Sequence, residues 1–280
     1  MKNIQALIDS IKEGQPRIDA SWFAFSSVEL ILIASALNQS PTSSLDLHSC
    51  QIQGIWVEDF VKILQRNRNL TSLYFHNNLI NNTGAKSFSS LLIVNHNLKE
   101  LSLSNNKIGN DGARFLAYAL EKNSGLKILY LGLNQIGDDG VEALASSLKN
   151  NSSLEELSLY RNKFGDVGAG YLSKALKVNY GLKVLNLYGN RVSNVGAEEM
   201  IVSLRNNVCL HSLHMESNNI LPLTTFRLIR LLEFRKSFSF QAVLLLCAVR
   251  SVPRIAGKAE IKRLPREIIQ KLSLCYKSPI

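Results

Sequence analysis

The sequence predicts an α/β solenoid, with short parallel strands along one side of a stack and helices along the other. Three observations predict it. A 28-residue period runs without a gap: residues 98–125 read LKELSLSNNKIGNDGARFLAYALEKNSG and residues 126–153 read LKILYLGLNQIGDDGVEALASSLKNNSS. The first half of each unit, LxxLxLxxN, alternates with the period of two that marks a strand. The second half, GAxxLxxAL, places apolar residues at i, i+3, i+4 and i+7, the spacing of one helix face. Each unit reads as strand, turn, helix and loop, and a period of this length marks a stack of like units.

Extended outward, the repeats begin at Thr42, Leu70, Leu98, Leu126, Leu154, Leu182 and Leu210, seven units over 42–237. Their columns are regular. The ninth position holds Cys50, then Asn78, Asn106, Asn134, Asn162, Asn190 and Asn218. The fifteenth holds Gly84, Gly112, Gly140, Gly168 and Gly196, and the twenty-sixth runs from Asn67 through Asn123 to Asn207. One unit cannot fold alone. Burying its apolar positions contributes ~2 kcal/mol apiece, whereas ordering 28 residues costs on the order of 30 kcal/mol, so stacking must supply the difference. The Asn columns are therefore read as structural: a buried amide bonds the backbone groups that the turn after the strand leaves unpaired.

The flanks read as caps. Residues 1–41 form the N-terminal one, with an amphipathic helix before Gly14, an extended stretch over residues 18–25 and a helix over about 27–38. Trp22, Phe23 and Phe25 are expected to cover the open end of the first repeat. The last repeat keeps LHSLHMESNNI but loses the Gly; Pro222 and a helix over 224–234 follow. Residues 238–280 read as a basic helical C-terminal cap, with the apolar run 238–249 sealing the last repeat.

The period, the LxLxxN core with Cys accepted at the Asn position, and the Gly-Ala opening of the helix together resemble the leucine-rich repeat family, in its long ribonuclease-inhibitor type. The resemblance implies a horseshoe with strands on the concave face and helices on the convex face. Physical spacing agrees, since strands stack ~4.8 Å apart while helices need ~10 Å. It also implies a non-enzymatic scaffold that recognises a partner protein on the concave face. The compact array is similar to bacterial effectors with such repeats, which implies a host protein as partner and a cytoplasmic location, that of the host cell.

Catalytic chemistry is not indicated. No phosphate-cradling GxxxxGK[ST], no GxGxxG after a strand, no GxSxG and no HExxH occurs. Asp138 and Asp139 read as favourable charges at the start of a helix. Asp46, His48 and His76 share the concave face, and the two histidines stand one strand apart. They could hold a metal weakly, but Ser104 takes the place where a third strong ligand would stand, so they read as surface histidines. No cofactor and no metal is expected.

The strand alternation turns positions five and seven of each unit outward. Tyr74, Tyr130, Tyr160 and Tyr188 fall there, and Tyr is large, rigid and tipped with a polar group, as interface anchors are. The adjoining loops add Arg161, Lys163 and Arg191. Tyr160, Arg161, Lys163, Tyr188 and Arg191 are expected to form a contact centre for an acidic partner. The same basic loops argue against ribonuclease inhibition, because ribonucleases are themselves typically basic.

The 280 residues carry 32 Lys and Arg against 22 Asp and Glu, a net charge of +10. Residues 221–280 hold twelve basic and three acidic side chains, which leaves the rest of the chain at +1. Within them Leu264, Pro265, Glu267 and Ile268 resemble the opening helix of an F-box, and such a truncated version would recruit a ubiquitin-ligase adaptor. The alternatives are a plain capping helix with Pro in its first turn, or contact of the basic segment with ribosome or nucleic acid, for which no motif stands here. Cys50, Cys209, Cys247 and Cys275 have no paired spacing and are expected as reduced thiols. Neither a signal peptide nor a membrane span is expected.

Overall fold

A computed structural model describes residues 4–231 apart from residue 206. Eight strands form one parallel sheet in strict chain order: β1 Arg17–Asp19, β2 Ser44–Asp46, β3 Ser72–Tyr74, β4 Glu100–Ser102, β5 Ile128–Tyr130, β6 Glu156–Ser158, β7 Val184–Asn186 and β8 Ser212–His214. Neighbouring strands from β2 onward pair with a 28-residue offset, as Leu45 with Leu73 and Leu101 with Leu129. The sheet stays open, with β1 and β8 at its edges. Behind it stand helices α1 Ile4–Lys12, α2 Ser27–Leu37, a short 3-10 turn Gly54–Trp56, α3 Val57–Leu64, α4 Asn82–Val94, α5 Asn110–Lys122, α6 Asp138–Asn150, α7 Asp166–Leu176 and α8 Asn194–Leu204. A further helix runs from 222 to the last described residue. No helix among the described residues is long and apolar enough to cross a membrane.

The N-terminal cap does more than expected. Its extended stretch is a full member of the sheet: β1 pairs with β2 at an offset of 27, Ile18 beside Leu45. This moves Trp22. The Trp22 amide donates to the His48 carbonyl as the Ser49 amide donates to that of His76, so Trp22 occupies the turn after the first strand. Its φ is +63° and its side chain is 69% exposed. Phe25 is buried and Phe23 packs against the core as expected, but Trp22 stands at the concave rim and covers nothing.

Three side-chain ladders join the repeats. In the first, Asn134 is buried and donates from Nδ2 to the carbonyls of Leu103, Leu131 and Gly132 at 2.9, 3.1 and 3.2 Å, while its Oδ1 accepts from the Ile108 amide at 3.0 Å. In the second, Asn123 ends α5 in an extended conformation. It donates to the carbonyls of Leu92 and Asn95 and accepts from the amides of Gly125 and Leu126. This turns the chain from each helix into the next strand. Both ladders bear out the structural reading of the Asn columns.

The third ladder corrects the reading of Asp138. Its Oδ1 reaches across to the next repeat and accepts from the amides of Gly165 and Gly168 at 2.9 and 2.7 Å. Asp138 thus caps the following helix, α7, whose own N-cap residue, Gly165, has no side chain to do so. At Gly168 this reach excludes a Cβ, which would lie 2.8 Å from Asp138 Oδ1. Asp166 repeats the arrangement. Burial would raise its pKa, but hydrogen bonds from the Ser193 hydroxyl and amide and the Gly196 amide outweigh that and hold it below the ordinary value. Asp139 points outward, 3.4 Å from Arg114. Asp138→Ala should therefore lower stability by about 1 kcal/mol, and Asp139→Ala by less than about 0.5 kcal/mol, as read by urea unfolding.

Cys50 is buried, and its thiol donates to the Ala20 and His48 carbonyls; Cys209 is disulfide-bonded, contrary to the expectation for it. The sealing run 238–249, the F-box-like residues Leu264, Pro265, Glu267 and Ile268, and most of the basic segment lie outside the described residues.

Candidate functional site

Each three-residue strand buries its middle residue and turns the two outer ones to the concave side, as in β3, where Ser72 and Tyr74 flank the buried Leu73. Positions three, five and seven of every repeat therefore form the concave surface. Position three adds Glu100 in β4 and Glu156 in β6.

The structure brings Tyr74, Tyr130 and Tyr160 into one open groove with a volume of about 670 Å³, which Trp22, His48, His76 and Glu156 also line. Tyr160 leans toward the preceding repeat and lies over Gly132, where a Cβ would come within 1.9 Å of the ring. A residue larger than Gly at 132 would push Tyr160 off the groove floor. Small neighbours are covered in the same way, so Ser102, Ser104 and Ser158 are buried although the alternation turns them outward.

At the N-terminal end the His48 and His76 rings stack with centroids 4.5 Å apart, and the Trp22 ring meets His48 edge-on at 5.9 Å. His48 Nδ1 bonds Asp46 at 2.9 Å, on its own strand. No group of three His, Cys, Asp or Glu side chains among the described residues is placed to hold a metal. Burial lowers the pKa of His76, and the neighbouring His48 lowers it further, against an opposing pull from Asp46. Below the unfolded value, near 6.5, the unfolded chain therefore takes up a proton that the folded chain resists. This contribution to stability is complete above that pH and is lost as pH falls toward the lowered folded value. The drop in melting temperature between about pH 7.5 and 5.5 should accordingly be smaller in His76→Gln than in the parent.

The expected five-residue contact centre divides. Tyr160 belongs to the groove. Arg161 sits on the turn with φ +50° and places its guanidinium 5.8 Å from the centre of the Tyr188 ring, an exposed cation–π pair at the groove's edge. A hydrogen bond to Ser217, then Arg161, holds the Tyr188 pKa below its ordinary value. Lys163 and Arg191 are exposed on the loops beyond the strands, outside the groove lining. The floor beneath Tyr74 and Tyr130 is acidic. Tyr74 Oη donates to Glu100 at 2.8 Å. The Tyr130 pKa is pushed up to about 12 by burial and then by Glu156 and Glu100. Glu100 and Glu156 were not singled out from the sequence, and Trp22 was singled out as a cap residue, not as part of this face. The alternation that selects positions five and seven selects three as well, and would have found the glutamates.

The Leucine Rich repeat family model matches residues 66–89, 94–117, 122–145 and 150–173, again at 28-residue intervals. No curated protein matches the sequence. Among solved structures, internalin C2 from Listeria monocytogenes is similar at 21% identity, over 78% of this chain and 86% of that one, with a TM-score of 0.51. The tropomodulin C-terminal domain of Caenorhabditis elegans is similar at 13% identity, over 53% and 93%, with a TM-score of 0.45. Each matched window spans one strand and runs into the helix behind it, and the internalin shares the fold; residues 66–173 carry four repeats of the leucine-rich type, set within an α/β solenoid.

Proposed function

We propose that the protein is a non-enzymatic scaffold that binds a partner protein on its concave face, through the groove formed by Tyr74, Tyr130 and Tyr160. The observation that carries this reading is the set of aromatic rings on the solvent side of the sheet, which the β4 repeat interrupts with Ser102 and Ser104. Trp22, His48, His76 and the three tyrosines present one surface across successive repeats, open along its length. Aromatic side chains in such a place supply large contact area at small entropic cost. Arg161 and Tyr188, with Lys163 and Arg191 on the loops beyond, form a separate basic rim at one edge. The first expectation, an acidic partner, is served by that rim, whereas the floor is acidic. A bacterial-effector role and a host-cell location are proposals that rest on repeat type alone. The ligase-adaptor reading rests on Leu264, Pro265, Glu267 and Ile268, and the nucleic-acid reading on the charge of residues 221–280.

The test is affinity capture from eukaryotic cytosol, with mass spectrometry comparing the parent with Tyr74→Ala/Tyr130→Ala/Tyr160→Ala. A partner enriched by the parent should be lost from the variant while the melting temperature changes little, since the rings face solvent. Retention of every parent partner by a folded triple variant removes the concave face from the function.

A further inference from the structure

Across the middle of the concave sheet acids and phenols alternate. Asp46, Tyr74 and Tyr130 stand at position five of β2, β3 and β5, and Glu100 and Glu156 at position three of β4 and β6, one row over, so that acid and phenol alternate from strand to strand. Tyr74 donates to Glu100, and Tyr130 stays neutral under the influence of burial and the two glutamates. Among the described residues neither Glu100 nor Glu156 takes part in an ion pair. One residue away the same repeats do pair their charges: Glu155 lies between Lys127 at 3.0 Å and Lys183 at 2.7 Å. The lysines of this array neutralise the edge of the sheet and leave its centre uncompensated. Along the strand positions facing the groove, Arg17 at the far edge is the lone arginine or lysine among the described residues.

We infer that this face takes up an extended segment of the partner carrying Arg or Lys, its cations seated between tyrosine rings against Glu100 and Glu156. The inference deepens the proposed function and rests on it. A cation above a tyrosine ring is attracted by the ring's negative face, and a carboxylate beside it adds a charge-assisted hydrogen bond. The two glutamates stand two strands apart, ~10 Å. That matches cations at i and i+3 of a polyproline-II segment, which rises ~9 Å per turn. The chain's overall +10 does not oppose this, because residues 1–220, which include the whole sheet, carry only +1 of it.

The test uses the full chain and a fluorescein-labelled peptide with Arg at every third position and Pro between, with a second peptide in which Glu replaces Arg. Anisotropy at ~150 mM salt should show saturable binding of the Arg peptide and none of the Glu peptide. Glu100→Gln/Glu156→Gln, which keeps shape and the acceptor for Tyr74, should weaken binding by about tenfold or more. Lys149→Gln, exposed on α6 behind the sheet, should leave it within about twofold. Absence of saturable binding to the parent, or equal binding by the double Gln variant, overturns the inference. If a captured partner is lost on removing the tyrosines but kept by the Gln variant, concave recognition stands and the cation assignment falls. If it is kept without the tyrosines, the proposed function itself fails.

Discussion

Phe75→Ala should destabilise the protein by about 3–5 kcal/mol, which for an array of this size lowers the melting temperature by roughly 6–20 °C. Phe75 is fully buried at position six, where every repeat from Leu103 onward holds Leu or Met. Its ring lies edge-on between Phe60 of α3 at 5.4 Å and Phe88 of α4 at 5.1 Å. These three rings form the contact between two repeats whose helices differ in build, a short helix preceded by a 3-10 turn and a longer regular one. Removing the middle ring leaves a cavity that two rings on separate helices cannot both move to fill. Backbone relaxation is blocked as well, because the Phe75 carbonyl accepts from both Asn78 and Asn106. Phe75→Leu restores the usual residue of the column and should cost less than about 1.5 kcal/mol. Urea unfolding of the parent and the two variants separates the cases; an equal loss in both would mean that the position tolerates no repacking.

Most of the fold was legible in the sequence because a solenoid repeats its evidence. Each column is sampled up to seven times, and the apolar period changes from two to 3.6 at the same point in every unit. What was not legible lies where the period fails or where one repeat acts on the next. β1 was read as an extended stretch because its offset to β2 is 27, one residue short of the register. That missing residue also hid the position of Trp22. The part played by Asp138 was hidden because its target lies 27 and 30 residues ahead, whereas local helix-start chemistry offered a sufficient account of its presence. At the candidate site the tyrosines were legible as outward residues of a strand. Their common floor follows from the same alternation once it is extended to position three, which carries Glu100 and Glu156. Lys163 and Arg191 were grouped with Tyr160 because both stand at position ten, just past the strand, yet the loop carries them past the groove.

The Asn ladder offers the sharpest check of how the repeats act together. Asn134→Ala should cost about 1–3 kcal/mol, or roughly 2–12 °C in melting temperature. The loss does not come from one bond. Asn134 joins two successive repeats: its amide serves carbonyls of its own repeat and of the one before, and its oxygen accepts the Ile108 amide of the one before. Alanine leaves that amide buried and unpaired, and water cannot readily reach it, since Ile108 is fully buried. Asn218, the last rung, makes the corresponding bonds, to Leu187, Met215 and the Val192 amide, but in a part-buried position where water can replace them. Asn218→Ala should therefore cost less than Asn134→Ala although the two side chains make like contacts. Equal costs would show that the bonds act one by one and that burial is not what gives the ladder its strength; a larger cost at Asn134 ties stability to the dry interior that only stacked neighbours create.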